Sequence, residues 1–127
     1  NARRLGAAVA FLPGDWYGAL NGAAPAPTYD AIVSNPPYIA AADPHLSQGD
    51  LRHEPPLALT DRADGLAALR RIVRGARAWL KPGGALWMEH GWDQAGQVRD
   101  LLDAAGFVRV ESRRDLAGIE RISGGYL

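Results

Sequence analysis
The sequence predicts an α/β fold organised around a mostly parallel sheet. Three observations carry that reading. Short apolar runs alternate with stretches of helical periodicity, as in strands joined by crossover helices. Pro, Gly or a polar cluster closes each run, which keeps the elements short. The chain has 127 residues, 47% hydrophobic and 22% charged, the make-up of one globular domain.

Taken in order, Asn1-Ala2-Arg3-Arg4-Leu5-Gly6 reads as the end of a helix stopped by Gly6. Ala8 to Leu12 is an apolar run closed by Pro13-Gly14, a first strand. Asp15-Trp16-Tyr17 follows in the loop at its carboxyl end. Residues 18–28, rich in Ala, Gly and Pro, hold a short helix at most. Tyr29 to Ser34 is a second strand, and Ile39 to Pro56 a long polar segment of the kind that serves as a functional loop or lid. Asp64 caps a helix running to about Leu80, with Leu66, Leu69, Ile72, Val73, Ala76 and Leu80 on one face. Lys81-Pro82-Gly83-Gly84 stops it, and Ala85 to Glu89 is a third strand. Asp93 starts another helix, with Val98, Leu101, Leu102 and Ala105 at helical spacing and Gly106 as the stop. Phe107 to Ser112 and Arg121 to Leu127 are the last two strands, joined by a turn at 115–120.

Composition excludes several functions. Lys and Arg total 14, as do Asp and Glu, so no global charge favours nucleic acid. There is no cysteine, and His45, His53 and His90 lack metal-ligand spacing, so no metal site is expected. No apolar stretch approaches the roughly 18 residues of a membrane span. No secretory signal is read, and a cytoplasmic protein is the default expectation.

The strongest functional signal is Asn35-Pro36-Pro37-Tyr38, directly after the second strand. Ligands of open α/β sheets bind just outside the carboxyl ends of strands. Asn offers one acceptor oxygen and two donor hydrogens in one plane, which suits a planar amide or amino group. Each proline fixes φ and extends the residue before it, stiffening the loop. The bland alternative is a turn starter followed by a linker. Asp15 and Trp16 sit on the same side of the expected sheet, as ligand contacts or as a loop cap and a core residue. His90 and Trp92 line the site or close the core, with core packing favoured for Trp92. Arg70, Arg71, Arg74 and Arg77 read as a solvated helix surface.

These residues resemble the protein-(glutamine-N5) methyltransferases of peptide chain release factors, the PrmC/HemK family. The likeness is carried by Asp15-Trp16, by Val33 to Ile39, and by Asp43-Pro44-His45-Leu46. It extends through Gln48 to Arg52, Glu54-Pro55, Glu89-His90-Gly91-Trp92, Arg114-Asp115 and Glu120-Arg121. The Asp43–Pro55 block is the specific part, because several amino-group methyltransferases share Asn-Pro-Pro-Tyr.

The resemblance implies a partial Rossmann-like methyltransferase sheet, S-adenosylmethionine as cofactor, and the glutamine of a release factor's Gly-Gly-Gln motif as substrate. It implies that Asn35 and the Pro36 carbonyl hold the substrate amide and that Pro37 and Tyr38 shape the pocket; Glu54 and Arg52 either contact the release-factor backbone or are solvated loop charges. Asp15 and Trp16 would contact the adenine, beside Asn35. None of the 15 glycines forms the family's phosphate-type cradle. The first strands and the glycine-rich loop are therefore expected upstream of Asn1. Residues 1–127 would be the C-terminal part of a catalytic domain, with strand 8–12 parted from strand 29–34 by the missing strands. The competing readings are a nucleic-acid amino methyltransferase acting on an extruded base, and a fragment without activity.

Overall fold
A computed structural model describes residues 1–21, 29–38 and 65–127. The expected lid at 39–56, the cap Asp64, and Glu54 and Arg52 lie outside the described residues. The elements are α1 (Ala2–Leu5), a 3-10 turn (Trp16–Leu20), β1 (Tyr29–Ser34), α2 (Ala67–Ala76), β2 (Leu80–Glu89), α3 (Ala95–Ala104), β3 (Val108–Arg114) and β4 (Glu120–Tyr126).

The four strands lie in the order β1-β2-β4-β3. β1 and β2 pair in parallel, whereas β4 pairs antiparallel with both β2 and β3. So β1, β2 and β3 share one direction, and β4 is a reversed strand inserted between two of them. The mostly parallel expectation holds for strand direction. The hydrogen-bonded pairs are mixed, because the turn at 115–119 is too short for a parallel crossover. Asp115 shapes that turn: its Oδ1 accepts from the amides of Ala117 and Ile119.

Both longer helices pack on one face of the sheet. Leu69, Ile72, Val73 and Ala76 of α2 and Val98 and Leu102 of α3 are buried with Leu86 and Met88 of β2, and with Phe107. These are positions that helical spacing selects; Leu80, expected on the same helix face, instead opens β2, because the helix ends at Ala76. Gly106, at φ 81°, ends α3 as expected from its lack of a Cβ. The opposite sheet face is open. Val33 is 78% exposed and Ile122 41%. Trp87 lies flat there, with the Arg113 guanidinium 4.7 Å above its ring. A Cβ on Gly124 would stand 2.4 Å from the Trp87 ring and from the Leu86 carbonyl oxygen, so only glycine lets that indole lie against β4.

Three expected elements are corrected. Residues 8–12 form no strand. Val9, Phe11 and Leu12 are exposed, and no described strand pairs with them. An apolar run becomes a strand only beside a hydrogen-bonding neighbour. Lys81-Pro82-Gly83-Gly84 does not stop a helix but belongs to β2, where it makes an irregularity. Tyr29 pairs with Leu80 and Ala31 with Ala85. Gly83 takes φ 78°, and its amide donates to the Leu127 carbonyl. Finally, α3 begins after Gln94 rather than at Asp93.

Candidate active site
The loop Asn35–Tyr38 leaves the carboxyl end of β1. Asn35 is exposed, and its side-chain amide bonds to no described residue. Pro36 beneath it is buried, and Pro37 and Tyr38 are half-buried. The loop thus presents a planar amide on a stiff, packed base.

Two side chains hold that base, Glu89 at the end of β2 and Gln94 at the start of α3. The Tyr38 hydroxyl donates to Glu89 Oε1 at 2.8 Å. Burial, and next the Glu89 hydrogen bond and charge, push the Tyr38 phenol above its ordinary range, so it stays a neutral donor. Gln94 Nε2 donates to the Tyr38 carbonyl at 3.1 Å, and its Oε1 accepts from the Gly91 amide at 2.8 Å. Asn35 and Glu89 line one small cleft of about 160 Å³ together with Val33, Ser34 and Ile122.

A larger cleft of about 450 Å³ lies beside β1, lined by Trp16, Tyr17, Val33, Ser34 and Ile72 among others. Val33 and Ser34 border both clefts, so Trp16 and Asn35 lie on adjoining hollows around one strand end. Trp16 holds φ at 51°, unusual for a bulky residue. Asp15 is exposed. Its Oδ2 accepts from Arg71 Nη2 at 2.9 Å, and its Oδ1 is engaged by no described residue. The same guanidinium stands 5.4 Å from the Trp16 ring centre. Arg71 is therefore not part of a purely solvated helix surface: it docks the Asp15-Trp16 corner onto α2.

His90 is fully buried but does not face either cleft. It ends a polar chain under the sheet. Its Nδ1 lies 2.9 Å from the Gly91 carbonyl, which only accepts, so Nδ1 carries the proton. Nε2 then accepts from the Ser123 hydroxyl at 2.8 Å. Ser123 in turn accepts from Ser112 at 2.7 Å, and Ser112 accepts from Arg99, which also reaches Glu120. The Gly91 carbonyl sets the bonds nearest His90, and the Arg99 guanidinium, which only donates, sets the far one. A second proton on Nε2 would take away the acceptor that the Ser123 hydroxyl uses. Burial, opposed by the Gly91 hydrogen bond, holds His90 below the ordinary imidazole range.

The sign for stability follows. The unfolded chain takes up a proton near pH 6.5 and the folded chain does so only lower. This contribution is complete above about pH 6.5 and is lost as pH falls through the window below it. Urea midpoints measured from pH 7.5 to 5 are expected to decline in that window, and replacing His90 by Gln should flatten the decline. A midpoint indifferent to pH would rule out a neutral buried imidazole.

Trp92 is corrected: it is 68% exposed, because it occupies the turn after β2 and not the core. Gln94 was missed, since nothing in the spacing of a lone Gln marks it. Among the described residues no group of three or more His, Asp or Glu is placed to hold a metal ion. No described helix is long and apolar enough to cross a membrane.

No protein-family model matches the chain. The comparisons with single proteins do. Over the whole chain it is 68% identical to a release factor glutamine methyltransferase of Bordetella pertussis and 61% identical to that of Burkholderia pseudomallei. It covers 46% of each, so the chain spans less than half the length of these relatives. A crystal structure of a release-factor-specific protein-(glutamine-N5) methyltransferase from Alicyclobacillus acidocaldarius superposes with TM-score 0.51 at 30% identity. The match covers 80% of this chain and 50% of that one. The sheet and its helices are therefore part of a methyltransferase fold.

Proposed function
Because the chain belongs to the release factor glutamine methyltransferase family over the part of those proteins that it spans, we propose that it is the C-terminal part of a catalytic domain that methylates the side-chain nitrogen of a glutamine. The substrate is the Gly-Gly-Gln glutamine of a peptide chain release factor, and the cofactor is S-adenosylmethionine. One observation supports the site above all: an exposed Asn35 amide, bonded to no described residue, on a proline-stiffened loop anchored from beneath.

The residues present fit the cofactor. Trp16 is half-buried beside the strand end and offers a flat surface, and Asp15 Oδ1, engaged by no described residue, is an acceptor for an amino group. When bound, S-adenosylmethionine supplies an electrophilic methyl group. The chain orients the nucleophile, whose nitrogen gives up one proton to solvent as it gains the methyl group. An amide nitrogen is a weak nucleophile because its lone pair is delocalised. Asn35 Oδ1 and the Pro36 carbonyl accept its two hydrogens, which orients the nitrogen and leaves its lone pair aimed at the methyl carbon. The same acceptors stabilise the positive charge that grows on nitrogen. Pro37 and Tyr38 bound the side-chain pocket. Glu54, which lies outside the described residues, is assigned to the release-factor backbone from sequence alone.

Calorimetry tests the reading. S-adenosylmethionine should bind a protein extended upstream to the relatives' length, and that protein should transfer a labelled methyl group to a release factor but not to its Gln→Ala variant at Gly-Gly-Gln. Equal labelling of that variant would refute the substrate. Tight binding by the 127 residues alone would show that this stretch holds the cofactor unaided.

A further inference from the structure
We infer that Gln94 is a positioning residue for methyl transfer, clasping the Asn35–Tyr38 loop; the inference rests on the function proposed above. A primary amide has two N–H donors in one plane. Gln94 spends them on two carbonyls, Tyr38 at 3.1 Å and Gly65 at 3.2 Å. Those are the residues immediately before and after the segment 39–64. One side-chain nitrogen therefore ties both ends of that segment together, at the exit of the loop that carries Asn35.

The clasp is rigidly mounted. Gln94 is 7% exposed. Its backbone amide donates to Gly91 at 3.1 Å, and its carbonyl accepts from Val98 at 3.0 Å in the first turn of α3. Its Oε1 is fixed by the Gly91 amide at 2.8 Å. A Cβ on residue 91 would come within 3.0 Å of that oxygen, so glycine there lets the side chain approach. The Gly91 carbonyl is also held by His90. The Gln94 side-chain oxygen and backbone are thus held by the turn between β2 and α3 and by the first turn of α3.

Tyr38 is consequently fixed at two points, its hydroxyl by Glu89 and its carbonyl by Gln94. The two bonds do different work. Glu89 fixes a ring that can swing about its own side-chain bonds. Gln94 fixes the peptide plane, and Pro36 and Pro37 between it and Asn35 leave little freedom to absorb an error. A shift at the Tyr38 carbonyl therefore reaches Asn35 Oδ1. Near-attack geometry tolerates little displacement, and about 1 Å costs on the order of a hundredfold in rate.

The test uses the protein extended to the relatives' length, its wild type, Q94M and Q94E. Methionine keeps length and burial and removes every polar contact. Glutamate keeps an acceptor for the Gly91 amide, and serves as the reporter if Q94M does not fold. We expect kcat for release-factor methylation to fall at least tenfold, with the S-adenosylmethionine Kd held within about twofold. Loss of kcat in step with cofactor affinity and folded fraction would reduce Gln94 to a structural residue and overturn the inference, as would an unchanged kcat. Absence of turnover in the wild type would instead sink the proposed function. In that event the nitrogen-15 signals of the Asn35 side chain and Tyr38 amide decide: movement or broadening in Q94M supports the clasp, and unchanged signals overturn it.

Discussion

Replacing Asn35 by alanine in the protein extended to the relatives' length is expected to lower kcat/KM for release-factor methylation by at least about 2 kcal/mol, some 30-fold. The reason is local. Asn35 is exposed and its side chain makes no hydrogen bond to any described residue, so its removal breaks no polar contact among them. The buried Pro36 and the Tyr38–Glu89 bond keep the loop in place. What disappears is one acceptor aimed at the substrate amide and its growing charge. The loss should therefore fall on turnover while Tm stays within a degree or two of wild type. Activity close to normal would remove Asn35 from the site. A large fall in Tm would mean that its amide supports the fold.

The second large effect concerns stability. Leu86 sits at the centre of the helix-covered face and is fully buried among Leu69, Val98 and Leu102. Truncating it to alanine removes buried methyl groups and leaves a cavity in a packed interior, a loss of about 2–5 kcal/mol. Val33 provides the contrast, one strand away and on the opposite face at 78% exposure. In the 127-residue chain, Val33→Ser should change stability by no more than about 0.5 kcal/mol. Chemical denaturation of both variants reads the difference. Comparable losses at the two positions would contradict a sheet buried on one side.

The helix faces were legible because their information is local. Leu69, Ile72, Val73 and Ala76 recur at the period of a helix, and all are buried. The site loop was legible as chemistry, since Asn, two prolines and Tyr after a strand limit what the backbone can do. Its support was not. The Glu89 and Gln94 bonds span 51 and 56 residues of sequence, and nothing near Gln94 announces a partner so distant. The apolar run at 8–12 misled for a related reason. Composition describes what a strand would bury, but pairing needs a neighbour. Pro82-Gly83-Gly84 misled in the other direction. Turn-forming residues were read as a stop, yet backbone bonds to Leu127 hold them as an irregular start of β2.

The insertion of β4 between β2 and β3 fixes an order of assembly. On a ribosome β2 and β3 are made first, yet neither is hydrogen-bonded to the other in the finished sheet. They meet only through a strand synthesised after both. The hairpin β3–β4 can close quickly across its short turn. Docking of β4 on β2 also brings Ser123 to His90 and the Arg121 carbonyl to the His90 amide. These partners of the buried His90 are thus supplied by a strand made after β2 and β3, so a nascent chain paused before residue 120 leaves that histidine without them.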